Sequence, residues 1–184
     1  MAEKLPAGRS DHGAADASAS HPPVPAATGL PDLGRRGGGW VALQGVLIAV
    51  SLAAGLLGPD WPVAGDPWLD VAGAAIALAG TALLLSGISG LGRQLTPFPR
   101  PVADAELRRD GAYGLVRHPM YGGALLIVLG WALLSSPVVL LPLGLAAAFL
   151  DAKRRREEAW LVEENPEYSD YRLAVPRQFI PWVW

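Results

Sequence analysis

Three long apolar runs with almost no charge decide what this chain can fold into. Residues 40–57 form an 18-residue run without a charged side chain, and residues 68–91 form a 24-residue run that carries only Asp70. Each run is long enough to cross a hydrocarbon core of about 30 Å as a helix. Residues 119–150 add 32 positions without a formal charge. The pattern predicts an all-α integral membrane protein.

The third run divides near its middle. As one helix it would measure about 48 Å, which is too long for a single perpendicular crossing. Pro137, in the triplet "SSP", suits a turn or the first position of a new helix. We therefore predict about four transmembrane helices, at 40–57, 68–91, 119–135 and 137–150.

The positions of the basic residues indicate the orientation. The 15 Lys and Arg residues occur in the N-terminal tail and in residues 93–117 and 153–177. Four crossings place all of them on one side of the membrane, and the positive-inside bias makes that side cytoplasmic. We expect an inner or plasma membrane protein with both termini in the cytoplasm. Membrane lipids are its expected surroundings.

The N-terminal tail and the remainder of the chain differ in composition. Residues 1–39 contain few large apolar side chains, so they cannot bury enough surface to offset the entropy of ordering, and we predict a disordered tail. Residues 40–184 form the predicted membrane domain. Its C-terminal part, residues 151–184, is expected to be cytoplasmic.

Composition also excludes several kinds of site. The chain has no cysteine, which excludes disulfides and thiolate metal sites. Two of its three histidines lie in the tail, leaving His118 alone in the membrane domain, so we expect no metal ion. Basic residues are not interleaved with stacking aromatics, so no nucleic-acid partner is expected. The oligomeric state is not determined by the sequence.

A small-residue stripe marks the second run. Gly73, Gly80 and Gly87 recur every seven residues, which places them on one helix face where another helix can approach closely. An Ala/Gly-rich composition without a packing role explains the same pattern.

Two polar segments, 92–121 and 151–184, meet at the cytoplasmic side in the four-helix topology. In the first, His118 stands at a helix N-cap position and Pro119 at the first helical position. The free N–H groups and the positive dipole end of such a helix favour an anionic group. The alternatives are that His118 only caps the helix and that Tyr113 and Tyr121 only anchor it at the interface.

The second segment contains "KRRREEAWL". On a helix, Lys153 and Glu157 lie on one face, as do Arg154 and Glu158, because each pair is four residues apart. A solvated, salt-bridged helix end beside anionic lipid explains this spacing equally well.

The ordered motifs "GAYGLVRHPMYGG", "REEAWL", "PEYSDYR" and "VPRQFIP" resemble the isoprenylcysteine carboxyl methyltransferase family over roughly residues 68–184. This resemblance implies S-adenosylmethionine as the methyl donor, bound under the two cytoplasmic segments. Its implied cofactor-binding positions are Leu107, Tyr113, His118, Pro119, Tyr121 and Glu157. To these the cofactor's own chemistry adds Arg117, because either its guanidinium or the start of the helix can take the cofactor carboxylate.

The resemblance also implies catalytic positions. Glu157 is expected to act in catalysis as well as in cofactor binding, and Lys153 stands where the family usually has an arginine near the acceptor. Lysine keeps the positive charge of arginine but cannot form the planar, bidentate pair of hydrogen bonds with a carboxylate. Asn165 replaces a usual aromatic residue in the C-terminal part.

The expected function is methyl transfer to a lipophilic acceptor that enters from the bilayer, with isoprenylcysteine-type carboxyl O-methylation as the first choice. The enzymatic alternatives are a methyltransferase of phospholipids or other small lipids and a sterol-reductase-like enzyme that uses a nicotinamide cofactor. The non-enzymatic alternative is a lipid-binding membrane protein.

Overall fold

The chain folds as a set of helices. The computed structural model describes residues 29–31, 33–34, 37–63, 65–98 and 106–183. Most of the predicted disordered tail, residues 1–28, lies outside this part of the chain. The described part contains no strand, which confirms the all-α prediction. Its α-helices are α1 Gly38–Leu57, α2 Pro67–Leu91, α3 Pro119–Leu134, α4 Leu140–Glu164 and α5 Tyr168–Ala174.

Two helical segments can cross a membrane by length and composition. These are α1 and the stretch Pro67–Gln94, which is α2 continued by the 3₁₀ turn Gly92–Gln94. Only 11 % of the apolar window in the first segment and 17 % in the second are buried inside the protein. Their outward apolar side chains are therefore available to lipid. The first two predicted spans are confirmed as candidate membrane helices.

The other two predicted spans form a shorter apolar hairpin. α3 has 16 residues, about 24 Å of helix. α4 is apolar only up to Leu150 and then continues as a charged helix to Glu164. A perpendicular crossing needs about 20 apolar residues. The four-crossing topology and the cytoplasmic placement of both termini therefore stay predictions.

The helix boundaries follow from local chemistry. The Asp66 side chain accepts a hydrogen bond from Trp68 N at 2.9 Å, and Pro67 occupies the first turn of α2. Between α3 and α4, Ser136 Oγ accepts from Val138 N at 3.3 Å, and Pro137 begins a 3₁₀ turn. The predicted break at "SSP" is confirmed.

The glycine stripe of α2 packs against α3. Gly73, Gly80 and Gly87 are buried on α2. A Cβ added at Gly80 would lie 2.8 Å from Gly123 O, and one added at Gly123 would lie 2.6 Å from Gly80 O. The two backbones are thus in contact, as small residues allow. The stripe is a packing surface between two helices of the same chain.

The C-terminal part packs beside the beginning of α3. Val162, Tyr168, Tyr171 and Val175 form a buried cluster against which Leu107 packs. Downstream, Phe179 is fully buried, and its backbone lies so close to Gly122 of α3 that no Cβ would fit there. The first turn of α3 is therefore enclosed by the chain's C-terminal end.

Candidate functional site

His118 occupies the predicted N-cap position of α3, but its side chain makes no capping hydrogen bond. Instead, Nε2 lies 3.1 Å from Glu158 Oε1. The imidazole is 7 % exposed and stacks on the Tyr121 ring, with centroids 5.3 Å apart and planes at 8°. His118 therefore belongs to a buried polar cluster and does not act as a side-chain cap.

Tyr121 and Glu157 form the centre of this cluster. Tyr121 Oη donates to Glu157 Oε2 at 2.7 Å, and His118 Nδ1 lies 3.8 Å from the same oxygen. His118 and Tyr121 are one turn apart on α3, so both reach the same carboxylate on α4. The Glu157 side chain is 25 % exposed, so its carboxylate is held by the Tyr121 hydrogen bond and is also accessible from outside.

Glu158, which sequence reasoning did not assign to the site, is more deeply buried than Glu157. Its 5 % exposed carboxylate lies 2.9 Å from Arg117 Nε, 3.1 Å from His118 Nε2, 3.3 Å from Arg154 Nη1 and 3.6 Å from Arg172 Nε. The i,i+4 spacing signalled only the contact with Arg154. Glu158 is the hub of an ion network joining the start of α3, α4 and α5.

Burial and charge act on Glu158 in opposite directions. Burial would raise its pKa, but the hydrogen bond and charge of His118, with the charges of Arg117 and Arg154, outweigh it and lower the pKa to about 2. The Glu158 carboxylate is therefore ionised throughout the neutral range and acts only as an acceptor.

Arg117 forms hydrogen bonds that hold the C-terminal segment in place. Besides its contact with Glu158, its Nη1 donates to Val175 O at 2.7 Å and to Pro176 O at 2.9 Å. The backbone adds two bonds, from Arg117 N to Arg177 O and from His118 N to Gln178 O. The guanidinium thus has protein partners, and its predicted contact with a cofactor carboxylate stays a prediction.

Lys153 lies on the other side of Tyr121. Its ammonium donates to Gln44 Oε1 of α1 at 2.6 Å and lies 5.2 Å from the centroid of the Tyr121 ring. The residue is 3 % exposed. Burial lowers the pKa of Lys153, although the charge of Glu157 acts in the opposite direction.

Tyr113 lies in the 3₁₀ turn Gly111–Gly114 and links the site to α2 and α5. Its hydroxyl donates to Gly87 O of α2 at 3.3 Å, and its carbonyl accepts from Tyr171 Oη at 2.7 Å. Burial raises the pKa of Tyr113, and the nearby charge of Glu157 raises it further. Tyr113 therefore stays a neutral hydroxyl near the central carboxylate.

The remaining predicted positions have packing roles in the structure. Pro119 is buried in the first turn of α3, and Leu107 packs on the tyrosine cluster of the C-terminal part. Asn165 ends α4, and its side chain accepts from Glu167 N at 3.1 Å. Tyr168 and Tyr171 are each only 2 % exposed, so the C-terminal part packs tightly with asparagine at position 165.

The chemistry gathered here is that of a polar binding site at the end of an apolar hairpin. It comprises one accessible carboxylate, one imidazole, two phenols and one buried ammonium: Glu157, His118, Tyr113, Tyr121 and Lys153. Among the residues that the structure describes, no group of three or more His, Cys, Asp or Glu side chains is arranged to hold a metal ion.

Comparisons with known proteins agree with a membrane protein of this kind. Residues 68–167 match the phospholipid methyltransferase family, a span that runs from α2 to the end of α4 and contains all five of those side chains. The chain is also 32 % identical over 83 residues to the Delta(14)-sterol reductase TM7SF2 of Mus musculus, covering 43 % of this chain and 20 % of that protein. The chain therefore spans about one fifth of the length of that curated relative.

The family match confirms that the motifs found in the sequence are those of a membrane methyltransferase. The specific isoprenylcysteine carboxyl methyltransferase family is not the one matched, although both belong to the same superfamily of membrane methyltransferases. The match covers more than half of the chain and includes the site. The protein belongs to the phospholipid methyltransferase family.

Proposed function

We propose that the protein transfers a methyl group from S-adenosylmethionine to a lipophilic acceptor that reaches the site from the bilayer. The observation that carries this proposal is the Tyr121–Glu157 hydrogen bond of 2.7 Å with His118 stacked on Tyr121. It sets an oriented, accessible carboxylate at the end of an apolar helical hairpin. The family match supports the same reaction class.

The residues present fit the cofactor's polar groups. Glu157 is exposed enough to accept hydrogen bonds from an ammonium or from ribose hydroxyls, and Tyr121 holds the carboxylate in place. Gln178 Oε1 is a buried acceptor without a partner among the described residues, and its backbone carbonyl bonds His118 N. When bound, the cofactor supplies an electrophilic methyl group on a sulfonium centre.

The chain's own contribution is alignment and exclusion of water. The C-terminal segment around Phe179 covers the start of α3, and the buried His118 and Tyr113 line the region around Glu157. Holding two reactants in line is worth many orders of magnitude in rate. A displacement at carbon needs no metal and depends on this geometry.

The acceptor class determines whether a base is needed. An ionised carboxylate, as in isoprenylcysteine-type O-methylation, needs none. An amine headgroup must react in its neutral form and requires a proton acceptor. Because the Glu158 carboxylate accepts from His118 Nε2, a neutral form of the ring would carry its lone pair on Nδ1, on the Glu157 side. His118 Nδ1 is thus the base we propose for an amine.

Donor binding is the first test. We expect calorimetric titration of S-adenosylmethionine into detergent-purified protein to show binding that Glu157→Gln weakens by about 10–100-fold, the loss of one charge-assisted hydrogen bond. His118→Ala should weaken binding to a similar degree because it removes the ring that supports Tyr121. The matched control is Glu167→Gln, which alters an exposed glutamate paired with Arg109. If the folded wild-type protein does not bind the cofactor at millimolar concentration, the methyltransferase proposal is wrong.

A second candidate comes from the similarity to the mouse Delta(14)-sterol reductase. Under this alternative the same site holds a nicotinamide cofactor and reduces a lipid double bond. Titration of NADPH into the same sample separates the two. NADPH binding without S-adenosylmethionine binding would favour the reductase, and binding of neither would favour the non-enzymatic lipid-binding alternative.

A further inference from the structure

The last residues that the structure describes are entirely apolar. Residues 179–183 read Phe-Ile-Pro-Trp-Val and carry no charged, hydroxyl or amide side chain. We call them the terminal turn, because Val183 N donates to Ile180 O at 3.2 Å. They lie beyond residues 68–167, so the family match assigns them no role.

The terminal turn has a packed side and a bare side. Phe179 is fully buried in a cluster with Leu125 of α3 and Leu150 of α4. By contrast, Trp182 is 77 % exposed and Val183 is 79 % exposed. Trp182 has a φ of 64°, a left-handed conformation that is an outlier for a bulky residue and persists only where the surrounding structure imposes it. The turn therefore anchors one aromatic ring in the protein and presents another one outward.

The contacts between α2 and α3 give the depth of the terminal turn. A Cβ added at Gly123 would lie 2.6 Å from Leu84 N of α2, and the neighbouring Gly122 touches the backbone of Phe179. Phe179 is therefore level with Leu84 in a helix that can cross a membrane. Leu84 comes nine residues before Arg93, the charged residue at that end of the helix, which is about 14 Å of helix.

The backbone before the terminal turn leads it inward. Arg117 N donates to Arg177 O, and His118 N donates to Gln178 O, so the two strands of chain run in the same direction, toward the middle of α3. The chain thus passes from the polar network to the apolar hairpin within a few residues. Arg177 is exposed, and its long side chain can extend back toward the polar boundary while the residues after it go deeper.

We infer that the terminal turn is a lipid-binding surface, with Trp182 and Val183 inserted among the acyl chains of one leaflet beside α3. A surface about 14 Å inside the end of a membrane-crossing helix is out of reach of a soluble partner. Apolar side chains at that depth contact hydrocarbon instead of water, which is favourable. Because Gln178 directly precedes the turn, lipid contact also helps to hold the C-terminal segment on His118. The inference does not depend on the reaction that the site performs.

The test measures which solvent surrounds the terminal turn. The chain has no cysteine, so Trp182→Cys and Val183→Cys each carry a nitroxide spin label at a single place. Both proteins are reconstituted in phosphatidylcholine nanodiscs, and electron paramagnetic resonance gives the label's collision rates with oxygen and with a nickel chelate. The lipid control is Leu78→Cys, 71 % exposed on α2, and the water control is Glu167→Cys, where the side chain is 75 % exposed.

Oxygen is apolar and enters hydrocarbon, whereas the polar nickel chelate is excluded from it. We expect the oxygen-to-nickel collision ratio at positions 182 and 183 to match that of the lipid control. It should exceed the ratio of the water control by about ten-fold or more. Thermal unfolding of each labelled protein shows that the substitution leaves the fold intact.

A pair of second substitutions tests whether Trp182 holds the turn in the lipid. Trp182→Asp, added to labelled Val183→Cys, places a charge where hydrocarbon disfavours it. The collision ratio at position 183 should then fall toward that of Glu167→Cys. Trp182→Phe keeps an apolar ring and should leave the ratio unchanged.

Three results would contradict the inference. A ratio at positions 182 and 183 equal to that of the water control would place the terminal turn in water. Low collision rates with both reagents would show that protein covers it, for example a second copy of the chain. An unchanged ratio at position 183 in Trp182→Asp would show that Trp182 does not anchor the turn in the bilayer.

Discussion

Replacing Glu158 with glutamine is expected to lower the free energy of unfolding by about 3–5 kcal/mol, the usual cost of breaking a buried ion pair by removing one partner. The carboxylate lies within hydrogen-bonding distance of Arg117, His118 and Arg154 and is only 5 % exposed. Glutamine leaves the buried Arg117 guanidinium without its carboxylate partner, whereas Arg154 keeps its contact with Asp151 at 2.7 Å. The loss should also loosen the C-terminal segment, because Arg117 carries its bonds to Val175 and Pro176.

The measurement is thermal unfolding of the detergent-solubilised protein, followed by tryptophan fluorescence. The control is Glu167→Gln, which breaks an equally short contact, 2.8 Å to Arg109, but at a side chain that is 75 % exposed. Exposed pairs contribute about 1 kcal/mol or less, so the control should stay close to wild type. Equal effects of the two substitutions would show that the Glu158 network does not hold the structure together.

The dependence of stability on pH is a second, independent test of the Glu158 network. The pKa of Glu158 is lowered from 4.5 to about 2, because its basic neighbours outweigh the effect of burial. A carboxyl group with a depressed pKa contributes stability that is fully present above its unfolded-state pKa and is lost as pH falls toward the folded-state pKa. Wild-type protein should therefore lose stability between about pH 5 and pH 2 more steeply than Glu158→Gln. Parallel acid profiles would contradict the assigned pKa.

Local patterns in the sequence predicted the local parts of this structure. Run length and charge located α1 and α2, and the proline after His118 located the start of α3, because both depend on neighbouring residues alone. The resemblance named Tyr121 and Glu157 separately, and helical spacing explains how each faces the site. Their direct hydrogen bond became visible only in the folded chain.

Contacts between distant elements were beyond the reach of sequence reasoning. Arg117 and Glu158 are 41 positions apart, and Gln44 and Lys153 are 109 apart. Helical periodicity determines which residues share a face, but it does not determine which faces meet. For this reason the sequence revealed neither the protein partners of Arg117 nor the central place of Glu158 in the ion network. The i,i+4 rule identified Arg154 and left the other partners of Glu158 unassigned.

Placing alanine at both Gly123 and Gly130 is expected to destabilise the protein by about 2–6 kcal/mol, at 1–3 kcal/mol for each overpacked position. A Cβ at Gly123 would lie 2.6 Å from Gly80 O, and a Cβ at Gly130 would lie 2.6 Å from Gly73 O. Both obstacles are backbone atoms of α2, so no side-chain rotation relieves them. The two helices would have to separate along their length.

The control double variant is Gly45→Ala with Gly144→Ala, in α1 and α4. Nothing lies within 4 Å of a Cβ added at either position, so helix propensity should make it neutral or stabilising by about 0.5–1 kcal/mol per site. Both pairs undergo the same chemical change inside apolar helices, and thermal unfolding in one detergent compares them directly. Equal stability of the two double variants would show that the α2–α3 contact is looser than the structure has it.

The position of a substitution along the glycine stripe should decide which property it changes. Gly87 lies where α2 meets the first turn of α3, and a Cβ there would approach Met120 Cγ to 2.7 Å and Pro119 Cγ to 3.1 Å. Gly73 lies at the far end, against Gly130 and Leu134. Gly87→Ala should therefore weaken donor binding through the displaced Tyr121, whereas Gly73→Ala should lower stability with donor binding little changed. Loss of binding in both variants to the same degree would mean that the stripe acts only through global stability, because the effect would then not depend on distance from the site.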